Sequence, residues 1–130
     1  MRLQNKVALV TGAGAGSGEA TARRFAEEGA VVIITDINIQ AAEAVAQQIN
    51  AGGGKAQARL QDVTDEALWE SVVQDIVSSH GSLDVLVNNA GIALIGSAED
   101  GTLEDWRTTQ AVNGESVFMG TRAAIAVIKQ

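Results

Sequence analysis

Short apolar runs alternate with longer amphipathic stretches along the first part of the chain. Val7–Val10 and Val31–Ile34 are too short for buried helices and are followed by Thr11-Gly12 and Thr35-Asp36, so we expect two strands that are covered on both faces. Between them, residues 16–28 place apolar side chains at helical spacing, and Gly29 follows as a stop signal. This succession predicts a crossover unit with two parallel strands.

The same alternation continues through the middle of the chain. Residues 55–62 alternate small apolar with polar side chains, which is typical of a strand at the edge of a sheet. A second helix is predicted before this strand by a stripe with the spacing i, i+3, i+4 and i+7, which ends just before a run of three glycines and consists of Ala42, Val45, Ala46 and Ile49.

The second half of the chain predicts two more helices and a fourth strand. Thr64 is expected to cap a third helix, which carries a broad apolar stripe. Residues 83–87 form a further apolar strand. A helical pattern then runs from Leu103 to Lys129 after a capping pattern that begins at Thr102, and Gly114 inside it predicts a kink.

The order of these elements predicts an α/β fold with a parallel sheet, because strands and helices alternate throughout. We expect a Rossmann-type doubly wound sheet in three α/β/α layers, with strand order 3-2-1-4 and ligands bound where the order reverses between strands one and four. Gly12 and Asn88 follow those two strands and should face each other across the crevice. Residues 1–130 are expected to form one domain, whose sheet is incomplete at its C-terminal end.

Composition removes several classes of function. The net charge of -7 and a pI near 4.5 argue against nucleic acids and anionic membranes as partners, since both are bound through clustered Lys and Arg. The sequence has no cysteine, and no metal site is expected. The N-terminus has no apolar run of the kind found in signal peptides or membrane spans, so we expect a cytoplasmic protein.

The turn after the first strand carries the pattern Thr-Gly-x-x-x-Gly-x-Gly, at Thr11, Gly12, Gly16 and Gly18. A strand that turns abruptly into a helix beside a pyrophosphate needs residues without a Cβ atom, and the backbone N–H groups at the helix start attract the anion. The strict G-x-G-x-x-G spacing is absent, so a merely flexible turn is the alternative interpretation.

Asp36 stands at the end of the second strand, eighteen residues beyond Gly18. A carboxylate there can accept hydrogen bonds from ribose hydroxyls and repel a 2′-phosphate, which favours NAD(H) over NADP(H). The neutral residues Ala15 and Ile37 agree with this choice, because neither could pair with the extra phosphate. The alternative is that Asp36 is an ordinary turn or helix-capping residue.

Two further strings, Asp62-Val63 after the third strand and Asn88-Asn89-Ala90-Gly91 after the fourth, complete a set of motifs. With them the chain resembles the N-terminal portion of the short-chain dehydrogenase/reductase family over essentially all of its length. The resemblance implies that the glycine turn binds pyrophosphate, that Asp36 selects NAD and that Asp62 contacts adenine. It also implies that the Asn-Asn-Ala-Gly string stabilises the sheet and lines the nicotinamide side. The cofactor-binding residues predicted in this way are Thr11, Gly12, Gly14, Ala15, Gly16, Ser17, Gly18, Asp36, Ile37, Asp62, Val63, Asn89, Ala90 and Gly91.

The same resemblance assigns a catalytic role to Asn113, which would bind a water molecule in a proton relay. An ordinary exposed helix asparagine is the alternative. The family's catalytic Ser and Tyr-x-x-x-Lys are missing, since the chain has no tyrosine and is expected to stop at Gln130 before the elements that would carry them.

The leading hypothesis is an NAD-dependent oxidoreductase that acts on a small-molecule alcohol or ketone and forms a homo-tetramer or homo-dimer. A non-catalytic NAD-binding module or an inactive fragment is the alternative if the chain truly ends at Gln130. An interaction domain without a ligand is a third hypothesis, and it requires the glycine turn to be accidental.

Overall fold

The computed structural model describes residues 1–94 and 96–128 and contains a four-stranded parallel sheet. The spatial order of the strands is β3-β2-β1-β4, which confirms the predicted doubly wound order and the α/β class. Ala8 of β1 pairs with Val32 of β2 on one side and with Val85 of β4 on the other. The strands are β1 (Val7–Thr11), β2 (Val31–Asp36), β3 (Lys55–Leu60) and β4 (Val85–Val87).

Helices cover both faces of this sheet and form the outer layers of the predicted three-layer arrangement. The first two helices pack against one face and share a core with Val10 and Ile34. The third and fifth pack against the other face around Leu9 and Ile33. The helices are α1 (Gly16–Glu27), α2 (Ile39–Ala51), α3 (Glu66–His80), α4 (Leu103–Gln110) and α5 (Ser116–Ile128).

The apolar residues predicted to face the core are buried in β1, in α2 and at residues 32–34 of β2, whereas Val31 is half-buried. Leu9 and Val10 lie on opposite faces of β1 and are both fully buried, which explains why this strand has a continuous apolar run instead of an alternating one. Burying each large aliphatic side chain contributes about 1.5–3 kcal/mol to folding. The apolar stripe of α2 is buried as well, at Ala42, Val45, Ala46 and Ile49.

The start of α3 differs from the sequence-based prediction, and the cap assigned to Thr64 was wrong. The side chain of Asp65 caps this helix instead, by accepting a hydrogen bond from the N–H of Leu68 at 3.1 Å. Thr64 lies in the preceding turn, where its N–H and its hydroxyl both donate to Oδ1 of Asp62. Two adjacent residues could cap the helix, and the carboxylate of Asp62 draws the threonine away.

At the place of the predicted kink, the last helical segment contains a wider helical turn. A π-helical turn, Ala111–Glu115, joins α4 to α5 and includes Gly114. The N-terminus of α4 is capped by Thr102 as predicted, since its hydroxyl accepts from the N–H of Asp105 at 3.0 Å. Lys129, the predicted end of this segment, lies outside the described residues.

The two edges of the sheet are formed by β3 and β4. The edge position of β3 was predicted from its alternating pattern, whereas β4 is shorter than predicted because Leu83 and Asp84 precede the paired residues. Within residues 1–94 and 96–128, no helix has both the length and the apolar character needed to cross a lipid bilayer.

Candidate functional site

The turn between β1 and α1 lies against the loop that follows β4. Gly12 has a φ angle of +61°, and a Cβ atom added to it would lie 2.8 Å from Cα of Ala90, so only glycine fits this approach. Gly16 also has a positive φ, but a Cβ atom there would meet nothing within 4 Å. The turn is therefore packed on the side of β4 and open on the side of Gly16.

The N-terminus of α1 presents backbone donors to this open side. Ala15 occupies the capping position and offers no side-chain acceptor, and the first bonded amide of the helix is that of Glu19, which donates to the carbonyl of Ala15. The N–H groups of Gly16 and Ser17 thus have no helical partner, and both residues are exposed. Such a helix end, with its positive dipole, favours an anion.

Hydrogen bonds between Thr11 and Asn89 join the ends of β1 and β4. The hydroxyl of Thr11 accepts from the N–H groups of Asn89 and Ala90, both at 3.1 Å. The side-chain amide of Asn89 donates in return to the carbonyls of Thr11 and Gly12, at 3.0 and 3.1 Å. Asn88, which we expected opposite Gly12, instead donates to Thr121 on α5, so the adjacent asparagine makes the contact across the crevice.

Asp36 is held at the end of β2 by two backbone groups. Its Oδ2 accepts from the N–H of Gly14 and its Oδ1 from the N–H of Asn38, both at 2.9 Å. A Cβ atom on Gly14 would lie 2.9 Å from Oδ2, so glycine is needed there to let the backbone reach the carboxylate. Each carboxylate oxygen keeps lone-pair capacity for a further donor.

The segment after β3 is fixed from behind by a buried tryptophan. The Nε1–H group of Trp69, which is 1% exposed, donates to the carbonyl of Val63 at 2.8 Å. The side chain of Asp62 accepts two hydrogen bonds from Thr64 through one of its oxygens. The Asp62–Val63 segment is thus anchored to α3 while remaining at the crevice.

Asn113 lies in the middle of the π-helical turn and bonds to the loop after β4. Its Oδ1 accepts from the N–H of Ile92 and its Nδ2 donates to the carbonyl of the same residue, both at 2.8 Å. This paired contact holds the Gly91–Ile92 segment against the turn. π-Helical turns of this kind occur often at functional sites.

These elements enclose a cleft of about 440 Å³ at the carboxyl ends of the strands. It brings together most of the predicted cofactor-binding residues, namely Gly12, Ala15, Gly16, Ser17, Asp36, Ile37, Asp62, Val63, Asn89, Ala90 and Gly91. Four predicted residues are not on its wall: Thr11, Gly14 and Gly18 lie behind it, and Asn113 reaches it through Ile92.

Three residues of the wall were not predicted: Gln61, Ile92 and Val112. Each is next in sequence to a predicted residue, so adjacency was the signal available for finding them. Gln61 is the most unusual of the three, because it is polar and only 2% exposed.

Other polar groups of the described residues lie away from the cleft. Nε2 of His80 lies 3.0 Å from Oε1 of Gln57, and neither residue lines the cleft. No group of three or more His, Cys, Asp or Glu side chains in residues 1–94 and 96–128 is arranged to hold a metal ion.

Comparison with known proteins agrees with this geometry. Residues 6–130 match the short chain dehydrogenase family. The chain is 45% identical to 2,5-dichloro-2,5-cyclohexadiene-1,4-diol dehydrogenase LinX of Sphingobium indicum, over 95% of this chain and 50% of that protein.

Solved structures of other proteins have the same fold. A protein from Burkholderia xenovorans assigned to the short-chain dehydrogenase/reductases superposes with a TM-score of 0.95 at 40% identity, over 99% of this chain and 53% of that one. A metagenomic short-chain oxidoreductase in complex with NADP gives a TM-score of 0.92 at 32% identity, over 97% of this chain and 57% of that one.

The chain spans about half the length of the curated relatives it matches. Within that half, the family match, the close superpositions and the crevice at the switch point of the sheet all agree. The chain therefore belongs to the short-chain dehydrogenase/reductase family.

Proposed function

We propose that the protein is an NAD-dependent oxidoreductase that exchanges a hydride between nicotinamide and the carbinol or carbonyl carbon of a small molecule. The observation that carries the proposal is the position of Asp36, whose carboxylate is fixed on the same cleft wall as the open N-terminus of α1. When bound, the cofactor supplies the hydride chemistry, and the protein supplies binding and orientation.

The helix end of α1 fits a pyrophosphate. The N–H groups of Gly16 and Ser17 are exposed and lack helical partners, and the absence of a side-chain cap at Ala15 leaves them available to an anion. The open space at Gly16 lets an anion approach the backbone closely. Thr11, Gly14 and Gly18 support this turn from behind, and their predicted role in cofactor binding is indirect in this proposal.

The far end of the cleft fits an adenosine. The free lone pairs of Asp36 can accept from the ribose hydroxyls, with Ile37 beside them. Asp62 and Val63 on the adjacent wall would hold the adenine, as the family resemblance implies. Trp69 fixes the carbonyl of Val63 and so keeps this wall in place.

The charge of this end favours NAD(H) over NADP(H). A 2′-phosphate would lie beside the carboxylate of Asp36, and two negative charges at contact distance repel. No lysine or arginine is among the described residues that line the cleft, so nothing there would compensate for the added charge. A metagenomic relative was solved with NADP. That structure does not decide the cofactor preference of this chain, because a complex with one cofactor does not compare its affinity with that of the other.

The opposite end of the cleft would receive the nicotinamide, between Asn89, Ala90 and Gly91. Asn113 lies next to this end, and we propose that it binds the water of a proton relay. Its amide keeps one N–H and one acceptor lone pair after bonding to Ile92, which is enough to hold a water molecule.

The relatives support the proposed substrate class. LinX is a dehydrogenase of a cyclic diol, which supports a small-molecule alcohol or ketone as the substrate of this protein.

We also propose a homo-tetramer or homo-dimer, because apolar side chains of α4 and α5 are exposed. A cytoplasmic location stays a prediction from the sequence.

Cofactor binding by the full protein tests the proposal through Asp36. We expect NADH to bind at least several-fold more tightly than NADPH in fluorescence titrations, and Asp36→Ala to narrow this difference because it removes the repelling carboxylate. Asp75→Ala is the matched control, since Asp75 lies on α3 and pairs with Arg59 outside the cleft. Equal binding of the two cofactors by the unmodified protein would contradict the cofactor preference.

A further inference from the structure

The side chain of Asn50, near the end of α2, bonds to the backbone of β3. Its Nδ2 donates to the carbonyl of Ala56 at 3.0 Å, and its Oδ1 accepts from the N–H of the same residue at 2.8 Å. Asn50 is itself exposed, so these bonds are made at the surface of the protein. One carboxamide therefore satisfies both backbone groups of one strand residue.

These two bonds lie on the outer side of β3. The N–H of Gln61 donates to the carbonyl of Asp36 at 3.1 Å and continues the ladder with β2. Backbone groups of successive strand residues point to opposite sides, so odd-numbered residues of β3 face β2. The residues that face away are Ala56, Ala58 and Leu60. Since β3 forms one edge of the sheet among the described residues, Asn50 pairs with that edge.

The geometry of the contact imitates a neighbouring strand. In an antiparallel ladder, two opposed residues exchange both of their N–H···O bonds. A carboxamide presents the same acceptor and donor side by side, and Asn50 exchanges both bonds with Ala56. Asn50 thus occupies the first outward position of β3, where another strand would otherwise bind.

The rest of β3 offers little other protection against such a strand. Exposed edge strands pair readily with other chains unless proline, a bulge or an edge charge prevents it. Residues 56–60 contain no proline or glycine, and the charged side chain among them, Arg59, pairs with Asp75 on α3. Leu60, an outward-facing position, is 52% exposed and apolar.

We propose that Asn50 is an edge-blocking residue, whose carboxamide closes the outer edge of β3 against strand pairing with a second copy of this chain. With Ala56 occupied, Ala58 and Leu60 remain as outward positions, which is too short a ladder for stable pairing. Self-association is thereby left to other surfaces, such as the exposed apolar side chains of α4 and α5. This inference is independent of the proposed function.

Closure of the turn between α2 and β3 is the competing explanation for the same two bonds. That turn is already held by backbone bonds, because the N–H groups of Gly52, Gly53 and Gly54 donate to carbonyls at the end of α2 at 3.0–3.1 Å. A role in the turn alone predicts a change in stability, whereas edge blocking also predicts a change in association between copies.

The test compares Asn50→Leu with Gln47→Leu in the full protein. Leucine has a similar size and no hydrogen-bonding group, and Gln47 is an exposed residue of the same helix, so the control adds the same apolar side chain and keeps the bonds to Ala56. Well below both melting temperatures, we expect Asn50→Leu to form high-mass species at least several-fold faster than the control. Light scattering after size-exclusion chromatography measures this, and the rate should rise with protein concentration.

A second substitution tests whether the association runs through β3. Leu60→Lys, added to Asn50→Leu, places a charge at an outward position of the edge, away from the cleft. The double variant should associate as slowly as Gln47→Leu, although the bonds to Ala56 are still lost. Such a rescue would assign the effect to strand pairing and not to the lower stability of Asn50→Leu.

Two results would overturn the inference. If Asn50→Leu melts at a lower temperature but associates no faster than Gln47→Leu, Asn50 serves the turn alone. If Leu60→Lys does not slow the association of Asn50→Leu, the copies do not pair through β3. Either result leaves the proposed function standing, because none of the substituted residues lines the cleft.

Discussion

Thr11 and Thr35 occupy paired positions on neighbouring strands, yet their hydroxyl groups have opposite surroundings. Both side chains are buried. The hydroxyl of Thr11 accepts from two backbone N–H groups of the Asn89–Ala90 loop, whereas that of Thr35 has no partner among the described residues. Substituting each of the two residues therefore distinguishes the effect of a buried hydroxyl on stability from the effect of its hydrogen bonds.

This contrast predicts opposite outcomes for the same substitution. Thr11→Val should lower the free energy of unfolding by about 1–3 kcal/mol, because it leaves buried N–H groups without their acceptor. Thr35→Val should be neutral or slightly stabilising, since it removes an unpaired hydroxyl and keeps the shape. Urea unfolding of the full protein measures both. A similar loss of stability in both variants would show that the bonds from Thr11 are not the cause.

At the residue scale, the sequence pattern pointed to the glycine turn and Asp36 in the cleft but not to Gln61 on its wall. The glycine turn and Asp36 were predicted as binding residues because their chemistry follows from residue type and spacing. Gln61 was missed, since nothing in the local pattern distinguishes a buried glutamine at the end of an edge strand from an exposed one. The role of Asn89 was predicted only in general terms, because its partners lie 77 or more positions earlier in the chain.

Among the elements, α5 is placed against α3 by a close contact at Gly120. A Cβ atom on this residue would lie 2.6 Å from the ring of Trp69 and 2.7 Å from Oδ1 of Asn88. Trp69 in turn holds Val63 at the cleft. The contact between the two helices thus extends to the wall of the candidate site.

We expect Gly120→Ala to destabilise the protein by about 1–3 kcal/mol, because the added methyl group overlaps the tryptophan ring and must displace it. Gly114→Ala is the matched control in the preceding turn, where a Cβ atom would lie 3.4 Å from the flexible end of Gln110. The control should cost little, since alanine favours helical backbone over glycine. Thermal unfolding measures both, and equal losses would argue against tight packing as the reason for Gly120.

The elements themselves were largely predictable. Short apolar runs gave β1 and β2, and the spacing of apolar residues gave α2, because a continuous core on both faces of the sheet leaves a clear periodic pattern. The details that depend on tertiary contacts were not predictable. Glycine predicted a bend in the last helical segment, but the bonds from Asn113 to Ile92 could not be read from local sequence.

For the molecule as a whole, the outer surface of α4 and α5 carries a group of exposed apolar side chains. The exposed apolar side chains of these helices include Leu103, Trp106, Val117, Phe118, Ile125 and Ile128, with Trp106 and Phe118 each more than 60% exposed. The strand β4 also forms an edge of the sheet among the described residues. Apolar surface and an unpaired edge together favour association.

The 130-residue chain, expressed by itself, should therefore associate or aggregate, which light scattering after size-exclusion chromatography would measure. Trp106→Ser combined with Phe118→Ser should increase the soluble fraction, because it removes large exposed apolar groups. Ile37→Ser is the matched control, as Ile37 is also exposed but lies in the cleft. A monodisperse monomer that melts cooperatively would refute the expectation.

The central position of β1 also bears on how the chain acquires its structure while it is being synthesised. Val7, at the start of this strand, donates its N–H to Oδ2 of Asp84 at 2.8 Å, although the two residues are 77 positions apart. At a synthesis rate of about 5–20 residues per second, Asp84 and the adjacent strand β4 are synthesised about 4–15 s after β1. Until then, one edge of β1 has no strand to pair with. Throughout that interval β1 remains open to chaperones and to pairing with other chains.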